Sequence, residues 1–253
     1  MSTKINRLLT KWPKGAVGTS SWMEANGIGS DLRKAYKESG WIKAIASGAY
    51  TRFDDTADWQ GALFAMQTQL QLPIHAAALT AIELKGRAHF IPQADKHPVY
   101  LFARRDARIP KWKRALPDAE RLQVVQTEIF AKAEDTGLSK FSCGDFSITI
   151  SALERAMMEF LYLVPKVHST DHARKIMGSL TTLRPRVVQE LLENCNSVKI
   201  KRLFLALAEE IDHRWLVQID KERLDLGSGK RTIDQGGTYN STYQITIAAR
   251  ELD

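Results

Sequence analysis

Ser30, Arg33, Lys34 and Lys37 stand at helical spacing. A hydroxyl and three cations on one side of a helix can reach phosphates and base edges, which are acceptor-rich and anionic. Thr19 and Ser20 precede the apolar pair Trp22-Met23. At the start of a helix they could offer hydroxyl and backbone N–H groups to a phosphate. Lys43 and Arg52 lie in two strand-like runs that follow, and would add charge contacts. Further on, Arg104, Arg105, Arg108, Lys111, Lys113 and Arg114 crowd around Trp112. This candidate second basic surface could contact phosphate, dock an acidic partner, or be a solvated loop.

Other constellations lack a member that their chemistry requires. His168 and His172 have the i, i+4 spacing of a metal pair, but no HExxH and no third ligand accompanies them. Residues 227–232, Gly-Ser-Gly-Lys-Arg-Thr, approach a phosphate loop, yet Leu224 stands where its first glycine belongs and Arg231 where Ser or Thr should follow the lysine. A turn between strands suits them better. Gly178-Ser179 could open a nucleotidyltransferase signature, but no pair of metal-binding carboxylates follows. Glu209, Glu210 and Asp212 would point to different sides of a helix. Cys143 and Cys195 have no base beside them and form no CxxC. The expectation is therefore no catalytic residue, no metal, no cofactor and no enzyme.

The elements that must position the basic residues follow from periodicity. Ile5, Leu8, Leu9 and Trp12 predict a helix over 3–12, stopped by Pro13 and Gly15. A short helix over 21–26 follows. Gly27 and Gly29 permit a sharp turn around Ile28. Ser30 is placed to cap a third helix over 31–39, in which Leu32, Ala35 and Tyr36 form the apolar stripe. Residues 41–45 and 49–53 read as a hairpin turned at Ala46-Ser47-Gly48. Helix, helix, turn, helix, hairpin is the order of a winged helix-turn-helix whose third helix enters the major groove.

Beyond the hairpin, helices are expected over 58–70 and from Leu79 to Lys85, with a short strand over 73–76 between them. Residues 99–103 and 146–150 read as strands, with Ser151 and Glu154 as a capping box for the next helix. Helices follow over 172–183, 186–195 and 198–211, and late strands over 215–219 and 243–247. The expected fold class is α+β, with an N-terminal winged helix-turn-helix domain and helical extension over 1–90 and a larger mixed α/β domain over 91–253.

Composition agrees with a globular, polyanion-binding chain. Of 253 residues, 44% are hydrophobic and 26% charged, enough for a core and unlike a disordered segment. Thirty-six Lys and Arg against 29 Asp and Glu give a net charge of +7. The excess sits in residues 1–56 and 96–114, and an acidic stretch follows. No uninterrupted apolar run is long enough to span a membrane, and no secretory signal is evident. The expected location is cytoplasmic, where no disulfide between Cys143 and Cys195 is expected.

The chain also resembles the AbiEi family, the antitoxins and transcriptional regulators of type IV toxin–antitoxin systems. The resemblance is carried by Trp22, Gly27-Ile28, Tyr36, Ser39-Gly40-Trp41, Gly48-Ala49-Tyr50, Trp59, Gln69-Leu70, His75 and residues 80–86. It continues in residues 151–156 with Glu159, residues 201–209, residues 226–231 and residues 243–246. It implies a winged helix that binds double-stranded DNA at inverted repeats in its own promoter and represses the operon. It implies a C-terminal domain that counters a nucleotidyltransferase-like AbiEii toxin, in abortive infection against phage, without requiring a stable complex. Lys201, Arg202, Lys230 and Arg231 are the candidates for that antitoxin surface. The alternative is an orphan regulator, or a winged helix that docks protein.

Overall fold

The computed structural model describes residues 3–87, 97–130 and 135–250. The chain forms two compact units. One comprises Met1–Ala76, Lys96–Thr127 and Lys140–Ile150; the other comprises Ala77–Asp95, Glu128–Ser139 and Ser151–Asp253. The boundary expected at residue 90 lies outside the described residues.

The first unit opens with α1 (Lys4–Lys11), whose Thr3 hydroxyl caps the N–H of Asn6. Strand β1 (Gly18–Thr19) leads into α2 (Ser20–Ala25), then α3 (Ser30–Glu38). Strands β2 (Ile42–Ala46) and β3 (Ala49–Arg52) form the expected hairpin, with a register shift between Ala44 and Ala46. Strand β1 adds to the outer side of β3, antiparallel. One core fixes these elements: Ile5, Leu8, Trp12, Ala16, Met23, Ile28 and Ile42 are buried together, and Leu32 and Tyr36 pack against them. Ala35, expected in that stripe, is exposed. Leu32 and Tyr36, one turn apart, make the contact of α3 with this core.

Helix α4 (Trp59–Thr68) is capped by Asp58, whose Oδ1 accepts from the N–H groups of Gln60 and Gly61. Gly61 meets the preceding segment closely. A Cβ there would lie 1.8 Å from the carbonyl oxygen of Gly15, and the Gly61 carbonyl accepts from Val17 N–H. Two glutamines at the end of α4 mimic strand neighbours. Gln69 bonds both the N–H of Thr19 and the carbonyl of Val17, each at 2.8 Å. Gln67 does the same for Thr149.

Strand β4 (Ile74–Ala76) closes this stretch, and α5 (Ala78–Leu84) belongs to the second unit. The chain returns with β5 (Val99–Ala103), a 3-10 turn at Lys111–Ala115, β6 (Leu122–Gln126), β7 (Leu138–Cys143) and β8 (Phe146–Ser151). These strands make a five-stranded sheet in the order β6-β5-β4-β8-β7. Strands β6 and β7 were not expected. They are the two edges of the sheet and carry Gln, Ser and Lys among their apolar residues, so the period-two signal is weak.

The second unit is built around α6 (Leu153–Leu163), a helix buried on nearly every side. Against it pack α5, α7 (Thr170–Ser179), α8 (Pro185–Asn194) and α9 (Val198–Glu210). Short strands β9 (Arg231–Thr232), β10 (Thr238–Asn240) and β11 (Ile245–Ile247) form a small sheet in the order β10-β11-β9. Two expectations fail here. Ser151 and Glu154 do not form a capping box. The N-cap is Ala152, the Ser151 hydroxyl donates to Glu159 at 2.6 Å, and Glu154 instead receives Arg184. Residues 215–219 are not a strand but mostly a 3-10 turn, because Trp215 turns inward to donate its indole N–H to the carbonyl of Leu180.

Candidate functional site

The face of α3 turned away from the core carries Ser30, Lys34 and Lys37, all exposed. The helix begins one residue earlier than expected, so Ser30 is its first residue and Gly29 its N-cap. The Ser30 hydroxyl donates to Asp31 Oδ1 at 3.3 Å. Arg33 departs from the expected role. It is half-buried, and its Nη1 donates to the carbonyls of Ile28 at 2.9 Å and Ser20 at 3.4 Å. Those carbonyls lie at the end of the turn and the start of α2. Arg33 therefore binds α3 to α2 and sets the orientation of its neighbours.

Thr19 also departs from the expected role. It is 2% exposed; its hydroxyl accepts from Trp22 N–H, and its own N–H is held by Gln69. Neither group is presented to a phosphate. Ser20 is half-buried with its N–H on the Gly48 carbonyl, which leaves only the hydroxyl for an outside contact. Lys43 projects, exposed, from β2. Arg52 lies at the base of the hairpin opposite Ile42, half-buried, and donates to the carbonyl of Trp12 at 3.0 Å. It ties the hairpin to the end of α1 and is not at the hairpin's tip.

The second basic segment sits beside the hairpin. Trp112 is buried and seats the 3-10 turn Lys111–Ala115 against β2. Ala115 and Pro117 share a shallow hollow with Lys43, Ala44 and Ile45. Arg105, Arg108, Lys111 and Arg114 are exposed and Lys113 is half-buried. Arg104 pairs with Asp106 at 2.6 Å, and this guanidinium holds the Asp106 carboxyl below its ordinary range.

In the second unit the candidate surface divides. Lys230 and Arg231 are exposed. Lys201 and Arg202 are 4% and 2% exposed, so they form no surface. The Arg202 guanidinium donates to the carbonyls of Leu226, Gly227, Gly229 and Gln244 at 2.6–3.1 Å. Helical amphipathicity did not reveal this, because the acceptors come from a distant loop. That same loop is the glycine-rich stretch at 227–232. It is a turn gripped from inside.

His168 and His172 meet edge to face, 5.3 Å between ring centroids, and both contact Phe160. Burial, with the charge of His172, lowers the His168 pKa to about 4. Among the described residues no three His, Cys, Asp or Glu side chains come together as metal ligands. Cys143 and Cys195 are free thiols, both pushed up chiefly by burial. No helix among the described residues is long and apolar enough to cross a membrane.

Two features had little sequence signal. Trp41 and Phe53 are 46% and 59% exposed, although the strand pattern gave no reason to expect aromatic residues in solvent. The glutamine pair on α4 was legible only as helix.

Residues 1–93 match a family model described as the N-terminal domain of the AbiEi antitoxin transcriptional regulator. Residues 96–248 match one described as transcriptional regulator, AbiEi antitoxin, type IV TA system. No curated protein matches the chain. Among solved structures, the crystal structure of the RV2827C protein from Mycobacterium tuberculosis resembles it with a TM-score of 0.59 and 13% identity, over 96% of this chain and 89% of that one. At that identity the likeness concerns the fold.

Proposed function

The chain belongs to the AbiEi family of antitoxin transcriptional regulators of type IV toxin–antitoxin systems, and on that premise we propose that it binds double-stranded DNA as the repressor of its own operon. The observation that carries this reading is the outer face of α3. Leu32 and Tyr36 anchor the helix in the core, Arg33 locks it to α2, and Ser30, Lys34 and Lys37 are left exposed. Helix α1, strand β1, helices α2 and α3, then the β2–β3 hairpin follow the order of a winged helix-turn-helix. In this reading α3 enters a major groove at an inverted repeat. Lys43 reaches the backbone from the hairpin, and the exposed cations of the 104–114 segment extend the phosphate contacts.

The DNA-binding role is assigned to residues 1–90 together with the 104–114 segment, and the antitoxin role to the rest of residues 91–253. There the protein counters a nucleotidyltransferase-like toxin encoded alongside. Lys230 and Arg231 remain candidates for that role. Lys201 and Arg202 are withdrawn, since neither reaches the surface. The family is one of regulators, and the protein acts by binding.

The test is fluorescence anisotropy with DNA from upstream of the gene against scrambled DNA, at two salt concentrations. Preference for the upstream sequence, with affinity falling as salt rises, is the expected result. Equal affinity for both DNAs overturns the repressor reading. Rescue of growth when the neighbouring toxin is co-expressed tests the antitoxin role.

A further inference from the structure

Asp31 stands in the first turn of α3, exposed like Ser30, Lys34 and Lys37. A carboxylate on a surface that meets phosphates is repelled unless it has a donor to face. Within the chain it has little to do. The N-cap is Gly29, the helix has no side-chain cap bond, and no backbone N–H donates to Asp31. Among the described residues it forms no ion pair, not even with Lys34 one turn on. Its one bond comes from the Ser30 hydroxyl, which donates to Oδ1 at 3.3 Å and leaves Oδ2 open. That bond uses the hydroxyl proton. The Ser30–Asp31 pair therefore turns only acceptors outward.

In a major groove, acceptors can be met only by an amino group. Phosphates, guanine N7 and O6 and thymine O4 are all acceptors; the donors are the N4 amino group of cytosine and the N6 amino group of adenine. The adenine amino group lies between two acceptors, its own N7 and the O4 of the paired thymine, and both oppose a carboxylate. The cytosine amino group has an acceptor on one side only, the O6 of the paired guanine. Recognition helices contact base edges with their N-terminal residues, and Asp31 lies at that end of α3. Glu38, the other acid of α3, closes the opposite end.

We propose that Asp31, oriented by Ser30, determines sequence specificity by accepting a hydrogen bond from the N4 amino group of a cytosine in the major groove. The inference rests on the DNA-binding reading and adds to it one base and the residue that selects it.

Selection of duplexes from a random library tests this, with the full chain, Asp31→Ala and Asp31→Asn in parallel. The unaltered chain should select a motif with one cytosine whose replacement weakens binding at least about fivefold. Asp31→Ala should accept any base at that position and keep the rest of the motif. Asp31→Asn should shift the position toward adenine, because an amide can bond N6 and N7 together. Asp31→Ala should also bind the cytosine-replaced duplex at least as tightly as the unaltered chain does, since it no longer repels phosphate. An Asp31→Ala motif identical to that of the unaltered chain overturns the proposal and leaves the DNA-binding reading standing. So does an equal loss of affinity for every duplex with a lowered melting temperature, which would mark Asp31 as a support of the helix. If the unaltered chain selects no motif, both readings fail.

Discussion

Arg33 donates its guanidinium to the carbonyl oxygen of Ile28 at 2.9 Å, so this half-buried cation of α3 is held against its own chain. Ile28 is fully buried in the turn before α3, and the bond fixes where that helix starts. Arg33→Ala should therefore lower stability by about 1 kcal/mol and weaken binding to every DNA sequence alike. Denaturant titration and anisotropy with several duplexes check this together. A changed base preference at unchanged stability would return Arg33 to the role of a base reader.

Lys34 and Lys37 are exposed and should behave differently. Each change to Ala should leave the melting curve unaltered. Where the lysine neutralises a phosphate, the slope of log K against log salt should shrink by about one. Lys111→Ala applies the same measurement to the second basic segment. An unchanged slope for any of these places that lysine off the DNA.

Gly61→Ala should cost more than about 3 kcal/mol, because a Cβ at 1.8 Å from the Gly15 carbonyl must push two backbone segments apart. Gly29→Ala is the control, with φ at −69° and nothing within 4 Å of the added carbon. Equal denaturation midpoints for the two variants would mean that the approach of α4 to the chain at Gly15 is looser than described.

His168 gives the second unit a dependence on acid. Its pKa is about 4 in the folded chain and 6.5 ordinarily, chiefly through burial and then through His172. Above 6.5 both states are neutral and the stability is intact. As pH falls from 6.5 toward 4, the unfolded chain takes up a proton that the folded chain refuses. Since the ring is only half-buried, the loss should be about 1.5 kcal/mol rather than the roughly 3 kcal/mol of the full shift. Urea titrations at several pH values on His168→Gln should show this slope removed.

Arg202→Met should destabilise by about 3 kcal/mol, since it leaves inward carbonyls at Leu226, Gly227, Gly229 and Gln244 without their donor. Limited proteolysis should then cut first within 224–231. A variant that melts and cleaves like the unaltered chain would mean that water replaces the guanidinium at little cost.

Much of this was local and therefore legible. The apolar spacing of Ile5, Leu8 and Trp12, the glycine turn around Ile28 and the hairpin at Ser47-Gly48 each follow from a few adjacent residues, and each element formed within a residue or two of where it was expected. The family resemblance was legible for the same reason, since motifs are strings of neighbours.

The amino-acid sequence by itself determined the α+β class, the exposure of Lys34 and Lys37 on α3 and the family. Tertiary structure alone decided which cations face outward. Arg33, Arg52, Lys201 and Arg202 look like surface residues by composition, yet three of them are bound to carbonyls and the fourth is buried. The physical reason is that an arginine can be buried wherever enough carbonyl oxygens converge on it, and those oxygens come from residues remote in sequence. The same holds for Thr19 and Gln69, fifty positions apart, whose bond closes the edge of β1. Periodicity reports which side of a helix is apolar; only the assembled chain supplies the partners that turn a charged residue inward.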